Sequence, residues 1–296
     1  MSLGIELTDL RVDYSDTRAV DGLTVSIEPG KIVGLLGRNG SGKTSLVSVL
    51  AAFRKATAGT VRVGGEDPFE NAGIMARTCL IREGGDVTDT DRVKNVLGFA
   101  AAYRPFWDAD LAARLVDCFE LPMDRRVKSL SRGKRSALGA TLGLASRAPL
   151  TIFDEVHLGM DAPSRYAFYE ELLADYLEHP RTIILSTHLI EEVASLFEEV
   201  VIIDRGRLVL HEPTEDVRER GVAVTGPASA VAEFTADLTV LNEQSLGGTS
   251  QVTTFGELDD EQRRRARAAG LELGPVPLQD LFVHLTKTPT DKGAHR

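Results

Sequence analysis

The sequence predicts an α/β core built on a parallel sheet, with an inserted helical lobe and a small α+β unit after it. Three observations carry that prediction. An apolar strand, a glycine-rich turn and a helix follow one another between Lys31 and Phe53. Two more apolar runs, 150–153 and 183–186, bracket a helical segment and have the texture of strands buried on both faces. Beyond His211 the pattern shifts to short strands alternating with short helices.

Residues 5–12 and 23–27 alternate apolar and polar side chains at period two, as half-buried strands do. Pro29-Gly30 marks a turn before the apolar run 31–36. From Lys43 the period changes, and Leu46, Val49, Leu50 and Phe53 fall on one helical face. Residues 91–147 read as mainly helical, with Leu111, Leu115, Val116 and Phe119 along one stripe. Asp161 and Pro163 open the helix between the two buried strands, as a cap and a first-turn residue. A helix over 190–198 leads to a strand at 200–204, and Arg205-Gly206 turns the chain into 207–210. Strands are expected at 222–224, 239–241 and 251–255, with helices near 228–236, 259–269 and 278–285. The expected division is a core over 1–214 with its helical lobe at about 88–147, an α+β domain over 215–286, and a flexible polar tail over 287–296.

Composition narrows the function classes. Of 296 residues, 43% are hydrophobic and 26% charged, which is ordinary globular usage. A net charge of −10 argues against a general polyanion binder, so any phosphate must be gripped locally. Cys79 and Cys118 are too few for a disulfide scaffold, which points to a reducing cytoplasm. Apolar runs are strand-sized, far short of the ~20 residues of a spanning helix. The opening fifteen residues lack a basic start followed by an apolar core. The chain is therefore expected to be soluble and to reach a membrane only by docking.

Gly37-Arg38-Asn39-Gly40-Ser41-Gly42-Lys43-Thr44 fits the phosphate-loop pattern G-x-x-x-x-G-K-[ST]. Gly37, Asn39, Gly40, Ser41 and Gly42 would turn backbone N–H groups onto phosphates at a helix N-terminus. Lys43 would meet the β/γ-phosphates, and Thr44 would offer its hydroxyl to Mg²⁺; the next residue, Ser45, carries no role. Asp154-Glu155 ends a buried strand. Asp154 suits the Mg²⁺ shell, and Glu155 suits the general base that polarises an attacking water.

Leu130-Ser131-Arg132-Gly133-Lys134 precedes a helical stretch and on its own reads as a cap. The order phosphate loop, Leu-Ser-x-Gly, Asp-Glu resembles the ATP-binding subunits of ABC transporters over about residues 3–212. That resemblance implies a RecA-like P-loop NTPase core, an antiparallel β part and an inserted helical subdomain. It implies ATP and Mg²⁺ as ligands, Tyr14 against adenine, and His188 as a catalytic contact to the γ-phosphate. Ser131 and Gly133 would cap the γ-phosphate held by the opposite subunit, and Asp161 would lie at that dimer interface. Glu83 stands where the family has a glutamine on the metal, and is an alternative oxygen donor there. Arg132 and Lys134 replace the usual glycine and glutamine, and Val156-His157 stands where Pro-Thr is common. His157 is expected to be exposed and non-catalytic.

The aromatic cluster 103–107 either packs inside the lobe or meets a membrane partner. Together with 181–188 and 278–282, it is similar to bacterial ATPases of antibiotic-resistance-type exporters that carry a small C-terminal extension. Arg263-Arg264-Arg265 reads as a solvated helix face. The resemblance implies an ATPase subunit that dimerises around two Mg-ATP, with itself or a homologous subunit. It would sit peripherally on the cytoplasmic face of the cell membrane and power separate permease subunits, in the direction of export. The competing reading is a soluble ABC-type ATPase with a regulatory or nucleic-acid-associated role. Net acidity disfavours nucleic acid as a partner.

Overall fold

The computed structural model describes residues 2–84 and 87–287. Most of the expected flexible tail, 288–296, lies outside them. The chain forms two units. One runs to His188 and resumes over Ser195–His211; the other comprises Leu189–Ala194 and the chain from Glu212 onward.

The first unit begins with β1 (Ile5–Tyr14), β2 (Thr17–Ile27) and β3 (Ile32–Leu36), then α1 (Lys43–Leu50) and β4 (Ala58–Val63). A short α2 (Ala72–Met75) and β5 (Thr78–Arg82) lead to the helical lobe of α3 (Val93–Tyr103), α4 (Ala109–Cys118) and α5 (Arg132–Ala145). Then come β6 (Leu150–Asp154), α6 (Ala162–Glu178) and β7 (Thr182–Thr187). After α7 (Ile190–Val193) the chain returns with β8 (Glu199–Asp204) and β9 (Arg207–Pro213).

Two sheets organise this unit. β1 pairs antiparallel with both β2 and β4. The six-stranded sheet has the order β5-β6-β7-β3-β8-β9. Its pairs from β5 through β8 are parallel. Every residue of β3, β6 and β7 is buried, as their unbroken apolar runs require of strands covered on both faces. A core of Leu10, Val12, Leu35, Leu46, Val47, Ile152 and Ile184, among others, joins the two sheets around α1. The lobe is tied to the core by ion pairs gathered on the buried Asp175. Arg147, at the end of α5, pairs with Asp108 at 2.7 Å and with Asp175 of α6 at 2.9 Å. Arg181, at the root of β7, also takes Asp175 at 2.7 Å. Each of these charges is matched, which offsets their desolvation.

Two expectations fail locally. Phe53 is not on a buried helical face: α1 ends at Leu50, Ala52 turns through φ 55°, and Phe53 is 63% exposed beneath the Arg82 guanidinium. The helix expected over 190–198 is only α7 followed by a 3₁₀ turn, Ala194–Leu196. The chain tightens there because Phe197 turns inward against Gly34, where even a methyl group would strike its ring.

The second unit contains α8 (Thr214–Arg220), β10 (Gly221–Pro227), α9 (Ala228–Thr235), β11 (Val240–Leu246) and β12 (Thr249–Phe255). It closes with α10 (Asp260–Ala268), β13 (Glu272–Pro275) and α11 (Leu278–Leu285). The antiparallel order β11-β12-β10-β13 makes β10–β13, with α9 and α10, a split βαβ arrangement. Val222, Val224, Val231, Phe234, Val252 and Ala266 form its own core. Arg263, Arg264 and Arg265 are exposed on α10, which an Asp259–Gln262 capping box starts.

Candidate active site

Parallel sheets place ligands beyond the carboxyl ends of their strands. Three neighbouring strands, β6, β7 and β3, end here on candidate chemistry: Asp154 closes β6, Thr187 closes β7 ahead of His188, and Leu36 closes β3 ahead of Gly37. Adjacent strand ends therefore bring residues far apart in sequence into one place.

The phosphate loop passes directly into α1. Gly40 and Gly42 take φ values of 78° and 105°, conformations that side chains resist, and Gly42 is the N-cap of α1. Gly37 is enclosed by the Ser41 side chain and the Ile203 carbonyl, with no room for a Cβ. The Lys43 ammonium donates to the Gly37 carbonyl at 2.5 Å and to the Arg38 carbonyl at 3.3 Å. Burial lowers its pKa, against the pull of Glu155 and Asp154. Thr44 is exposed one residue later. A cleft of about 380 Å³ is lined by Tyr14, Asn39, Gly40 to Ser45 and Glu155, with Thr17, Arg18 and Ala19 on its β1–β2 side.

Among the described residues, three buried polar atoms around this place have no protein partner: Asp154 Oδ1, the Ser41 hydroxyl and the hydroxyl of Ser186, which pairs in register with Asp154. A carboxylate oxygen left unpaired at 4% exposure, one residue before Glu155, which lines the same cleft as Thr44, is hard-oxygen chemistry that fits Mg²⁺.

Glu155 sits at φ 54°, its amide bonded to the Ser186 carbonyl at 3.0 Å. His188 Nδ1 lies 3.1 and 3.0 Å from its two carboxylate oxygens. Burial pushes the Glu155 carboxyl up, while His188 and Lys43 pull it down. A raised proton affinity suits a general base.

His157 is not exposed, contrary to expectation. It is 4% exposed, with Nε2 3.0 Å from the Thr187 hydroxyl and 3.4 Å from Glu155 Oε2. The left-handed turn at Glu155 folds the chain back, so Val156 enters the core and His157 follows beneath the carboxylate. Nothing in the local pattern signals this, because the turn precedes a loop with no periodicity.

Tyr14 lines the cleft at 40% exposure, and the Arg54 guanidinium stacks 3.7 Å from its ring centroid. Arg54 was invisible from sequence as a part of this site. Glu83 follows β5, whose last residue, Arg82, pairs in register with Asp154. Its carboxylate accepts a hydrogen bond from Arg132. Ser131 caps α5, accepting from the Lys134 amide at 3.2 Å. Gly133 packs so closely that a Cβ would lie 2.8 Å from the Gly159 carbonyl oxygen. The loop from Leu158 to Asp161 is thus held against α5, and Ser136 also donates to Leu158 O at 2.8 Å. Asp161 caps α6 through the Ser164 amide at 3.0 Å. Of the aromatic segment 103–107, Tyr103 and Phe106 are exposed and Trp107 is half-buried; Phe99 of α3 is exposed on the same lobe.

Residues 20–157 match the ABC transporter family. The daunorubicin/doxorubicin resistance ATP-binding protein DrrA of Streptomyces peucetius is 28% identical, with 97% of this chain and 93% of the relative aligned. The Nod factor export ATP-binding protein I of Burkholderia thailandensis is also 28% identical, over 95% of this chain and 96% of the relative. Among solved structures, an ATP-binding subunit of an ABC transporter superposes with a TM-score of 0.65 at 21% identity. It covers 72% of this chain and 91% of that one. An Atm1-family bacterial ABC exporter with ATP bound gives 0.63 at 18% identity, covering 74% of this chain and 40% of that one. Both likenesses are of fold. Among the described residues no helix is long and apolar enough to cross a membrane.

Proposed function

This chain carries the ATP-binding domain of ABC transporters and is an ATPase of that kind; on that premise we propose that two subunits close around two Mg-ATP and drive a separate membrane-spanning permease. The observation that carries the reading is the convergence at three adjacent strand ends, where Lys43, Asp154 and Glu155 share one site and His188 holds the Glu155 carboxylate.

Each residue then has a task. The loop 37–44 cradles the phosphates, Lys43 leaves its carbonyl partners for the β/γ-phosphates, and Tyr14, stiffened by Arg54, stacks on adenine. Thr44 and Asp154 would hold Mg²⁺, which would supply neutralisation of phosphate charge. Glu83 would have to leave Arg132 to add an oxygen there. Glu155 takes the proton from the attacking water, with its carboxylate oriented by His188. Ser131 and Gly133 cap the nucleotide of the opposite subunit, and Asp161 meets that subunit at the end of a loop which Gly133 already touches.

The exposed rings Phe99, Tyr103 and Phe106 suit a docking surface for the permease. This puts the protein at the periphery of the cell membrane, on its cytoplasmic face. The two relatives whose names specify resistance and export favour export as the direction. Residues 1–214 perform the chemistry in this reading, and 215–286 are accessory. Phosphate release from ATP by the wild-type chain, lost in Glu155→Gln, tests the chemistry. Co-purification of a permease lost on Tyr103→Glu tests the coupling.

A further inference from the structure

We infer that His157 is a second positioning residue for Glu155, gripping the carboxylate from the buried side while His188 holds it from the exposed side. The inference deepens the ATPase reading and rests on its assignment of Glu155 as the base.

The geometry starts from backbone. Glu155 occupies the left-handed region, which costs a β-carbon-bearing residue about 1–2 kcal/mol and persists only where surroundings enforce it. The turn it makes sends Val156 into the core at 0% exposure and returns His157 under the carboxylate. A buried imidazole needs partners for its nitrogens. Nε2 has two within reach: the Thr187 hydroxyl at 3.0 Å and Glu155 Oε2 at 3.4 Å. The ring also lies against Tyr169 and His188, each with centroids 6.4 Å away.

Thr187 immediately precedes His188, so His157 meets the Glu155 carboxylate and the residue next to the imidazole that holds it. It grips the carboxylate directly and braces the residue before the imidazole. Its carbonyl accepts from the Met160 amide at 3.1 Å, which starts the loop that ends at Asp161. A core histidine held by Thr187 alone would need no approach to a carboxylate. A threonine at this position could not make that approach either, because its hydroxyl is one bond from Cβ and the imidazole Nε2 is three. The short hydroxyl would leave Oε2 to His188 alone.

Positional control of a reacting group is worth large factors, since displacements of about 1 Å cost on the order of 10²-fold in rate. The experiment uses the full chain and follows phosphate release from Mg-ATP in wild type, His157→Phe, His157→Gln and Glu155→Gln. Phenylalanine keeps the ring and removes the nitrogen; glutamine restores an N–H near the place of Nε2. The expected result is a kcat at least about 10-fold lower for H157F with KM within about 2-fold, and recovery to within about 3-fold of wild type in H157Q. Wild-type kcat in H157F beside an inactive E155Q overturns the inference and leaves the ATPase reading standing. Wild-type kcat in E155Q removes the base itself, and the inference with it. Should H157F fail to fold, the ring ¹⁵N resonances of His157 are compared between wild type and E155Q. A shift at both His157 and His188 supports the grip; a shift at His188 alone overturns it.

Discussion

Gly42→Ala, set beside Gly40→Ala, separates two ways in which the phosphate loop depends on glycine. Both positions have positive φ, so each alanine carries the strain of a left-handed side chain, about 1–2 kcal/mol. Their surroundings differ. A Cβ at Gly40 meets nothing within 4 Å, whereas one at Gly42 lands on the Ala19 carbonyl oxygen. That overlap is about 1 Å short of van der Waals contact and lies between a Cβ fixed by the backbone and a backbone oxygen, so no rotamer relieves it. Either β2 or the start of α1 must move. Adding an overpacking cost of about 1–3 kcal/mol puts G42A at roughly 2–5 kcal/mol in total. At about 2–4 °C per kcal/mol for a unit of this size, its melting temperature falls by roughly 4–20 °C, against about 2–8 °C for G40A. Because the N-terminus of α1 carries Lys43 and Thr44, G42A should also lose about 10²-fold in ATP turnover. Differential scanning fluorimetry and phosphate release measure both. A G42A protein that melts with G40A and keeps wild-type turnover would refute the reasoning.

Glu155→Gln should lower kcat by about 10²–10⁴-fold while ATP still binds. It should also raise the melting temperature at neutral pH. Burial raises the folded-state pKa of Glu155, so the native state binds more protons than the unfolded chain between the ordinary glutamate value and the raised one. Its contribution therefore favours folding below that window and is lost as pH rises through it. The gain from Gln should vanish in acid, and a pH-independent melting difference would contradict this. Tyr14→Ala removes one stacking surface, worth about 1–3 kcal/mol, so the apparent affinity for ATP should fall by about 5- to 150-fold with little change in kcat at saturation. Arg132→Glu should slow turnover, and the swapped pair Glu83→Arg with Arg132→Glu should recover most of it, as measured by phosphate release. Stability should change by less than about 1 kcal/mol in each, since the pair is largely exposed. If Glu83 serves the metal instead of Arg132, the swap gives no recovery.

The parallel core could be read in advance because strands buried on both faces leave unbroken apolar runs. The chemistry was equally legible where it sits at a run's end, as Asp154-Glu155 does after β6. Lys43 and Thr44 were readable because strand, turn and helix are contiguous. What escaped depends on approach between distant segments. Glu83 and Arg132 are joined across 49 positions, and no pattern local to either announces the ion pair. Arg54 reaches Tyr14 only because α1 and β1 pack in one core. His157 departs from its expected exposure for a different reason: a single left-handed residue, Glu155, reverses the chain, and an acid in that conformation has no sequence signature. Periodicity likewise overextended α1 to Phe53, because it cannot register the turn at Ala52.

Sedimentation velocity on Glu155→Gln, with and without saturating Mg-ATP, tests the nucleotide-bridged dimer most directly. The expected result is a monomer without nucleotide and a dimer holding two ATP with it, abolished when Ser131→Arg crowds the capping loop. A chain that stays monomeric in saturating Mg-ATP, yet whose wild-type form hydrolyses ATP at a rate strictly proportional to its concentration, would contradict it.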